Sequence, residues 1–153
     1  MEVNIEGIVE LDKLNMSNIL FNSKDEFSYE ARKDELIKEV SDGVKIIEYN
    51  YNLRLVGYIQ YDFLENGNCF ILSLQVHPLH RSGATLKALL KSFSKELNKE
   101  KPNVLISYVH ISNLVSIQLH KRLKFEIQKE YEQKFKFIIE GVNLKNLIAK
   151  FDE

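Results

Sequence analysis

The chain has 153 residues and one cysteine, Cys69, so no internal disulfide can form. That fits a reducing compartment. Prolines number two, Pro78 and Pro102, each at a junction between patterned segments. There is no repeat and no low-complexity linker. No apolar stretch approaches the ~20 residues that a membrane span needs, and no basic run or acidic tail occurs. With a formal net charge of −1, the chain carries no strong field toward nucleic acid or an anionic membrane. The opening "MEVNIEGIVE" is acidic and alternating, unlike a signal peptide, so the expected location is cytoplasmic. What remains is ordinary. Apolar residues at 44% and charged residues at 28% describe one soluble globular domain over 1–153. The abundance of Asn, Ile and Lys is a weak compositional association with an AT-rich bacterial genome.

Periodicity divides the chain. "VNIEGIVEL" reads as a first strand, and a short helix is expected around Met16 to Phe21. "SYEARKDELIKEV" reads as a helix, with Ser28 as N-cap and Gly43 suited to its C-terminal end. "VKIIEYN" and "LRLVGYIQYDF" are rich in β-branched and aromatic residues and read as strands. Asn66-Gly67 is a strong hairpin signal leading into the strand "CFILSLQV". A helix follows to Leu97, with Leu86, Leu89, Leu90, Phe93 and Leu97 on one stripe. "VLISYVH" reads as a strand and "SNLVSIQLHKRL" as a helix capped by Ser112 or Asn113. Two closing strands and a short C-terminal helix complete the order. Early hairpins and late strand–helix–strand crossovers imply a mixed sheet.

The stretch "VHPLHRSGATLKALL", residues 76 to 90, passes from strand to helix through small residues and one arginine. The first amides of a helix have no internal partner, and its dipole adds partial positive charge there. Gly83 and Ala84 leave the backbone approachable, and Arg81 adds a forked cation. The set suits a pyrophosphate. The same residues also suit a plain strand-to-helix turn.

This stretch resembles the acyl-CoA motif of the GNAT superfamily of N-acyltransferases: a strand ending V-x-P, then [RQ]-x-x-G-x-[GA], then a helix opening on paired leucines. Val76, Pro78, Arg81 and Leu89-Leu90 match. Ala84 stands for the first glycine, and Leu86 departs from the last small position. Downstream, "VHISNLVSIQLHKRLKF" is similar to the superfamily's N-x-x-[AS]-x-x-[LF]-Y-x-x-x-G-F segment. Asn113, Ser116, Leu119, Leu123 and Phe125 fall in register, while His120 replaces the tyrosine and Lys124 the glycine.

The resemblance implies an α/β (α+β) GNAT fold. Its sheet would be mixed and mostly antiparallel, of six or seven strands, splayed at two central parallel strands and flanked by about four helices. It implies acetyl-CoA as co-substrate and direct attack by a primary amine. The cofactor-binding set would be Leu74, Gln75 and Val76 along the strand, Arg81, Ser82, Gly83, Ala84, Thr85 and Leu86 at the turn, and Asn113 and Ser116. A backbone N–H near Val76 would polarise the carbonyl. His120 would protonate the leaving thiolate, and Tyr108 would orient a water or line the acceptor pocket. His110, His77 and Glu65 are further candidates for a water chain. His77-x-x-His80 has a metal-like spacing, but a zinc site needs three or four converging ligands, so none is expected. The partners would be acetyl-CoA and an amine acceptor, with no nucleic acid and no membrane. A homodimer through the C-terminal strands and helix stays open. The departures at Leu86 and His120, and the lack of a clear base, leave a rival: a catalytically inactive GNAT-fold module that senses CoA or binds a protein partner.

Overall fold

The computed structural model describes residues 2–19 and 27–152, with the side chains of residues 17–19 left aside. Its elements are α1 (Ile5–Ile19), α2 (Tyr29–Ser41), β1 (Lys45–Tyr51), β2 (Arg54–Phe63), β3 (Cys69–Val76), α3 (Ala84–Glu100), β4 (Val104–His110), α4 (Leu114–Arg122), β5 (Glu126–Tyr131), β6 (Lys134–Glu140) and α5 (Gly141–Phe151). A short 3-10 turn, Pro78–His80, precedes α3. Among the described residues six strands form one mixed sheet in the order β1-β2-β3-β4-β6-β5. β3 and β4 run parallel through the pairs Cys69↔Leu105, Phe70↔Ile106 and Ile71↔Ser107. β6 is antiparallel to both β4 and β5. Among the described residues no helix is long and apolar enough to cross a membrane.

The expected first strand is a helix. Val3, Ile5, Val9 and Leu11 alternate, which mimics a strand, but Ile8, Val9, Leu11, Asp12 and Asn15 are the residues that bury, at helical spacing. The Asn4 side chain starts the helix by accepting the Gly7 N–H at 2.9 Å. The short helix expected around Met16 to Phe21 is in part the end of α1; Leu20 and Phe21 lie outside the described residues. Among the described residues there are five α-helices, against the about four expected. Elsewhere the expectations hold: Ser28 caps α2 through the Ala31 N–H, and Gly43 follows it in the left-handed region.

Contacts divide the chain into two compact units. The first holds residues 1–60 and 73–89. Its core joins Ile8, Val9 and Leu11 of α1 to Leu36 of α2 and to Leu55 and Tyr58 of β2. A buried polar network lies beside that core. Asp12 accepts from the Tyr58 hydroxyl and, at 2.7 Å, from Arg32 Nε; Arg32 also reaches Glu35, Glu39 and Gln60. Burial raises the Asp12 pKa despite the Tyr58 and Arg32 donors. The second unit holds residues 61–72 and 90–153. There Leu97, Leu105, Val109, Ile117, Phe125, Phe137 and Ile139 are buried among strands β4 and β6 and helices α3 and α4.

Candidate functional site

In the first unit, β3 ends at Val76 and the chain turns through residues 77–83 into α3. His77 N–H donates to Val56 O at 2.7 Å, so that amide is spent on the sheet and is not a free donor to a substrate carbonyl. Gly83 takes φ +109°, with open space where a side chain would stand. That left-handed residue lets the turn close without a Cβ against the following amides. The earliest amide of α3 to find a backbone acceptor is that of Lys87, which bonds Gly83 O at 2.9 Å. Among the described residues the N–H groups of Ser82, Gly83, Ala84, Thr85 and Leu86 have no such acceptor. Ser82, Gly83 and Ala84 are exposed, Leu86 is half-buried, and the Thr85 side chain is turned into the interior. A Cβ built on Gly57 would stand 2.9 Å from the Thr85 methyl, so Gly57 of β2 is what lets the start of α3 sit this close.

Arg81 is exposed but tethered. Its Nε donates to Val76 O at 3.2 Å, and its Nη2 donates to Asn15 Oδ1 at 3.2 Å. Asn15 Nδ2 in turn donates to Gln75 Oε1 at 2.8 Å and to Val76 O at 3.2 Å. Leu74, Gln75 and Val76 are half-buried along β3. His77 and His80 stack edge to face at 5.5 Å, and His80 packs on Tyr51. Burial, followed by the neighbouring His80, lowers the His77 pKa. Among the described residues no group of three or more His, Cys, Asp or Glu converges as metal ligands would.

In the second unit, Asn113 caps α4 by accepting the Ser116 N–H at 3.1 Å. His120 lies one face inward, 4% exposed, between Phe125 and Phe137. Its Nδ1 sits 2.7 Å from the Ser116 carbonyl oxygen, with the Ser116 hydroxyl at 3.3 Å. A carbonyl oxygen only accepts, so Nδ1 carries the hydrogen. In the neutral ring Nε2 is then the acceptor, and Ser107 Oγ, 3.0 Å away on β4, donates to it. Burial lowers the His120 pKa, against the raising effect of the Ser116 carbonyl, so the ring is neutral at pH 7.

Tyr108 follows Ser107 on β4 and so faces the other side of the strand. It is 37% exposed and packs on Phe70 at 5.7 Å. The structure therefore does not bring Tyr108 and His120 together. The His110 Nδ1 accepts the Ser112 N–H, and its buried Nε2 has no partner among the described residues. Sequence reasoning missed two members of these clusters, Asn15 and Ser107. Neither belongs to a motif, and no local spacing marks them.

No family model and no curated protein matches the chain. Solved structures do. PaiA N-acetyltransferase of Thermoplasma acidophilum, in complex with coenzyme A, aligns at TM-score 0.74 and 17% identity over 90% of this chain and 93% of that one. YncA of Salmonella typhimurium, with acetyl-CoA, aligns at 0.64 and 16% over 90% and 88%. A protein of Desulfovibrio desulfuricans assigned to the GNAT family aligns at 0.69 and 13% over 92% and 95%. At these identities the likeness is one of fold: the chain has the GNAT fold.

Proposed function

We propose that the protein transfers the acetyl group of acetyl-CoA to a primary amine by direct attack. One observation carries the reading. Among the described residues the consecutive amides of Ser82–Leu86 have no backbone acceptor, and they lead into a 17-residue helix beside an anchored arginine. Such a row of N–H groups, at the positive end of a helix dipole, is matched to the oxygens of a diphosphate. The fold shared with CoA-bound acetyltransferases supports the same conclusion.

In this reading Arg81 and the amides of the turn bind the diphosphate, and the β3 residues Leu74, Gln75 and Val76 run beside the pantetheine arm as a neighbouring strand would. Catalysis is chiefly positioning: the amine nitrogen attacks the thioester carbon, and the thiolate departs. One proton leaves the amine and one is needed on the sulfur. His120, neutral with its lone pair on Ser107, is suited to take a proton through the Ser107 hydroxyl and return it by the same route. Asn113 and Ser116 hold that histidine on its helix by cap and carbonyl. Tyr108, on the opposite side of β4 from Ser107, takes no part in moving that proton.

Titration calorimetry with acetyl-CoA, followed by thiol release over a panel of amines, tests the reading. Binding together with turnover on at least one amine is the expected result. Binding without turnover on any amine favours the CoA-sensing module, and failure to bind removes the assignment.

A further inference from the structure

The tether on Arg81 goes beyond what the acyl-CoA motif requires. Arginine carries five N–H donors on a long stem with considerable rotamer freedom. An exposed arginine that must meet a phosphate loses that freedom on binding, which weakens affinity. Here the freedom is already spent. Nε is held by Val76 O and Nη2 by Asn15 Oδ1, each at 3.2 Å. Nη1 has no partner among the described residues and stays available. Asn15 itself is 3% exposed and is fixed by its own donations to Gln75 and Val76. Its carboxamide orientation is therefore set from the other side: Nδ2 must face two acceptors, so Oδ1 must face the arginine.

We infer that Asn15 is a positioning residue for the diphosphate site, acting through Arg81. It lies on α1, 66 residues from Arg81 in sequence, and joins that helix to the end of β3 and to the turn. Together with the Val76 carbonyl it holds one edge of the guanidinium and leaves the other edge for a phosphate oxygen. The inference rests on the proposed acetyl-CoA reading and makes a finer claim: the affinity that Asn15 contributes belongs to the diphosphate and not to the thioester end.

The test is calorimetric. Acetyl-CoA is titrated into wild type, Asn15→Ala, Arg81→Ala and the double variant. The same proteins are assayed with S-acetyl-pantetheine, which keeps the thioester arm and lacks the diphosphate. Asn15→Ala is expected to raise the Kd for acetyl-CoA about 3- to 10-fold, the range for freeing one rotamer-rich side chain. It should change the kinetics with S-acetyl-pantetheine by less than it weakens acetyl-CoA binding, and have little further effect on acetyl-CoA binding once Arg81 is gone. Arg81→Lys is the second variant and, being on the surface, carries no folding risk. Lysine keeps the charge but cannot hold two anchors and a phosphate at once. Its affinity should fall nearly as far as that of Arg81→Ala. Wild-type affinity in Asn15→Ala or Arg81→Lys overturns the inference alone, as does an equal loss with both thioesters or additive losses in the double variant. A wild type that binds no acetyl-CoA overturns the proposed function with it.

Discussion

Replacing Ser107 by Ala removes the one donor that the His120 Nε2 lone pair has. The ring is buried, between Phe125 and Phe137, and no water-facing side can take over. A buried acceptor left without a partner costs about 1–3 kcal/mol. His120→Phe keeps a ring in the same aromatic pocket but strands the buried Ser107 hydroxyl, at a similar cost of about 1–3 kcal/mol. The double variant removes both partners and leaves nothing unpaired there. It should therefore be less destabilised than the sum of the singles by about 1 kcal/mol or more, a coupling expected of groups in direct contact. Urea unfolding at pH 8, read as a shift of midpoint at constant slope, measures all four proteins. A pH series adds an independent arm. Burial lowers the His120 pKa in the fold below the ordinary value of about 6.5. As pH falls through about 6.5 the unfolded chain takes up a proton that the folded chain resists, so stability declines and continues to decline down to the folded pKa. His120→Phe lacks this component. The lowered His77 and raised Asp12 are common to both proteins and cancel in the difference. Additive losses, or equal pH dependence with and without His120, would refute the assignment of the tautomer and its partner.

Three other outcomes are expected. His120→Phe should lower turnover more than it weakens acetyl-CoA binding, measured as kcat against Kd; unchanged turnover removes His120 from proton handling. Gly83→Ala meets no atom within 4 Å but forces an alanine to φ +109°. It should cost about 1–3 kcal/mol of backbone strain and weaken acetyl-CoA binding, and wild-type values for both melting and calorimetry would show that the turn does not need its glycine. Cys69 is fully buried, and burial with the nearby Asp62 pushes its thiol up to about 12. An alkylating reagent should modify it only as fast as the protein unfolds, and labelling of native protein at the rate of a free thiol would contradict its placement.

The middle and later chain was legible because its local signals agree with one another. "CFILSLQV" became β3 to the residue, Asn113 caps α4, and Gly43 follows α2 as its cap glycine. The N-terminus was not, and the reason is chemical. The inward stripe of α1 includes Asp12 and Asn15, two polar residues that bury because Tyr58, Arg32 and Gln75 meet them there. A hydrophobic pattern cannot reveal a helix whose core face is partly polar. The alternation of Val3, Ile5, Val9 and Leu11 then stands as the only periodic signal, and it has the wrong period.

The same chemistry explains which parts of the site were hidden. Arg81 and the small residues after it form a contiguous string, and a string can be read. What Arg81 and His120 touch is set by long-range partners, Asn15 in one unit and Ser107 in the other, and a single small polar side chain has no local signature. The protonation of His120 is still further from the sequence. It follows from a carbonyl 2.7 Å from one nitrogen and a hydroxyl 3.0 Å from the other. A histidine in the tyrosine's place suggests an acid, whereas those two distances and the burial of the ring describe a neutral proton acceptor at pH 7. The populated form of His120 at pH 7 is thus a proton acceptor and not the donor that the sequence suggests. If transfer proceeds through His120, its rate should fall as pH drops through the lowered pKa of the ring, where the lone pair is lost. A rate that instead rises on acidification through that range would make the imidazolium the working form.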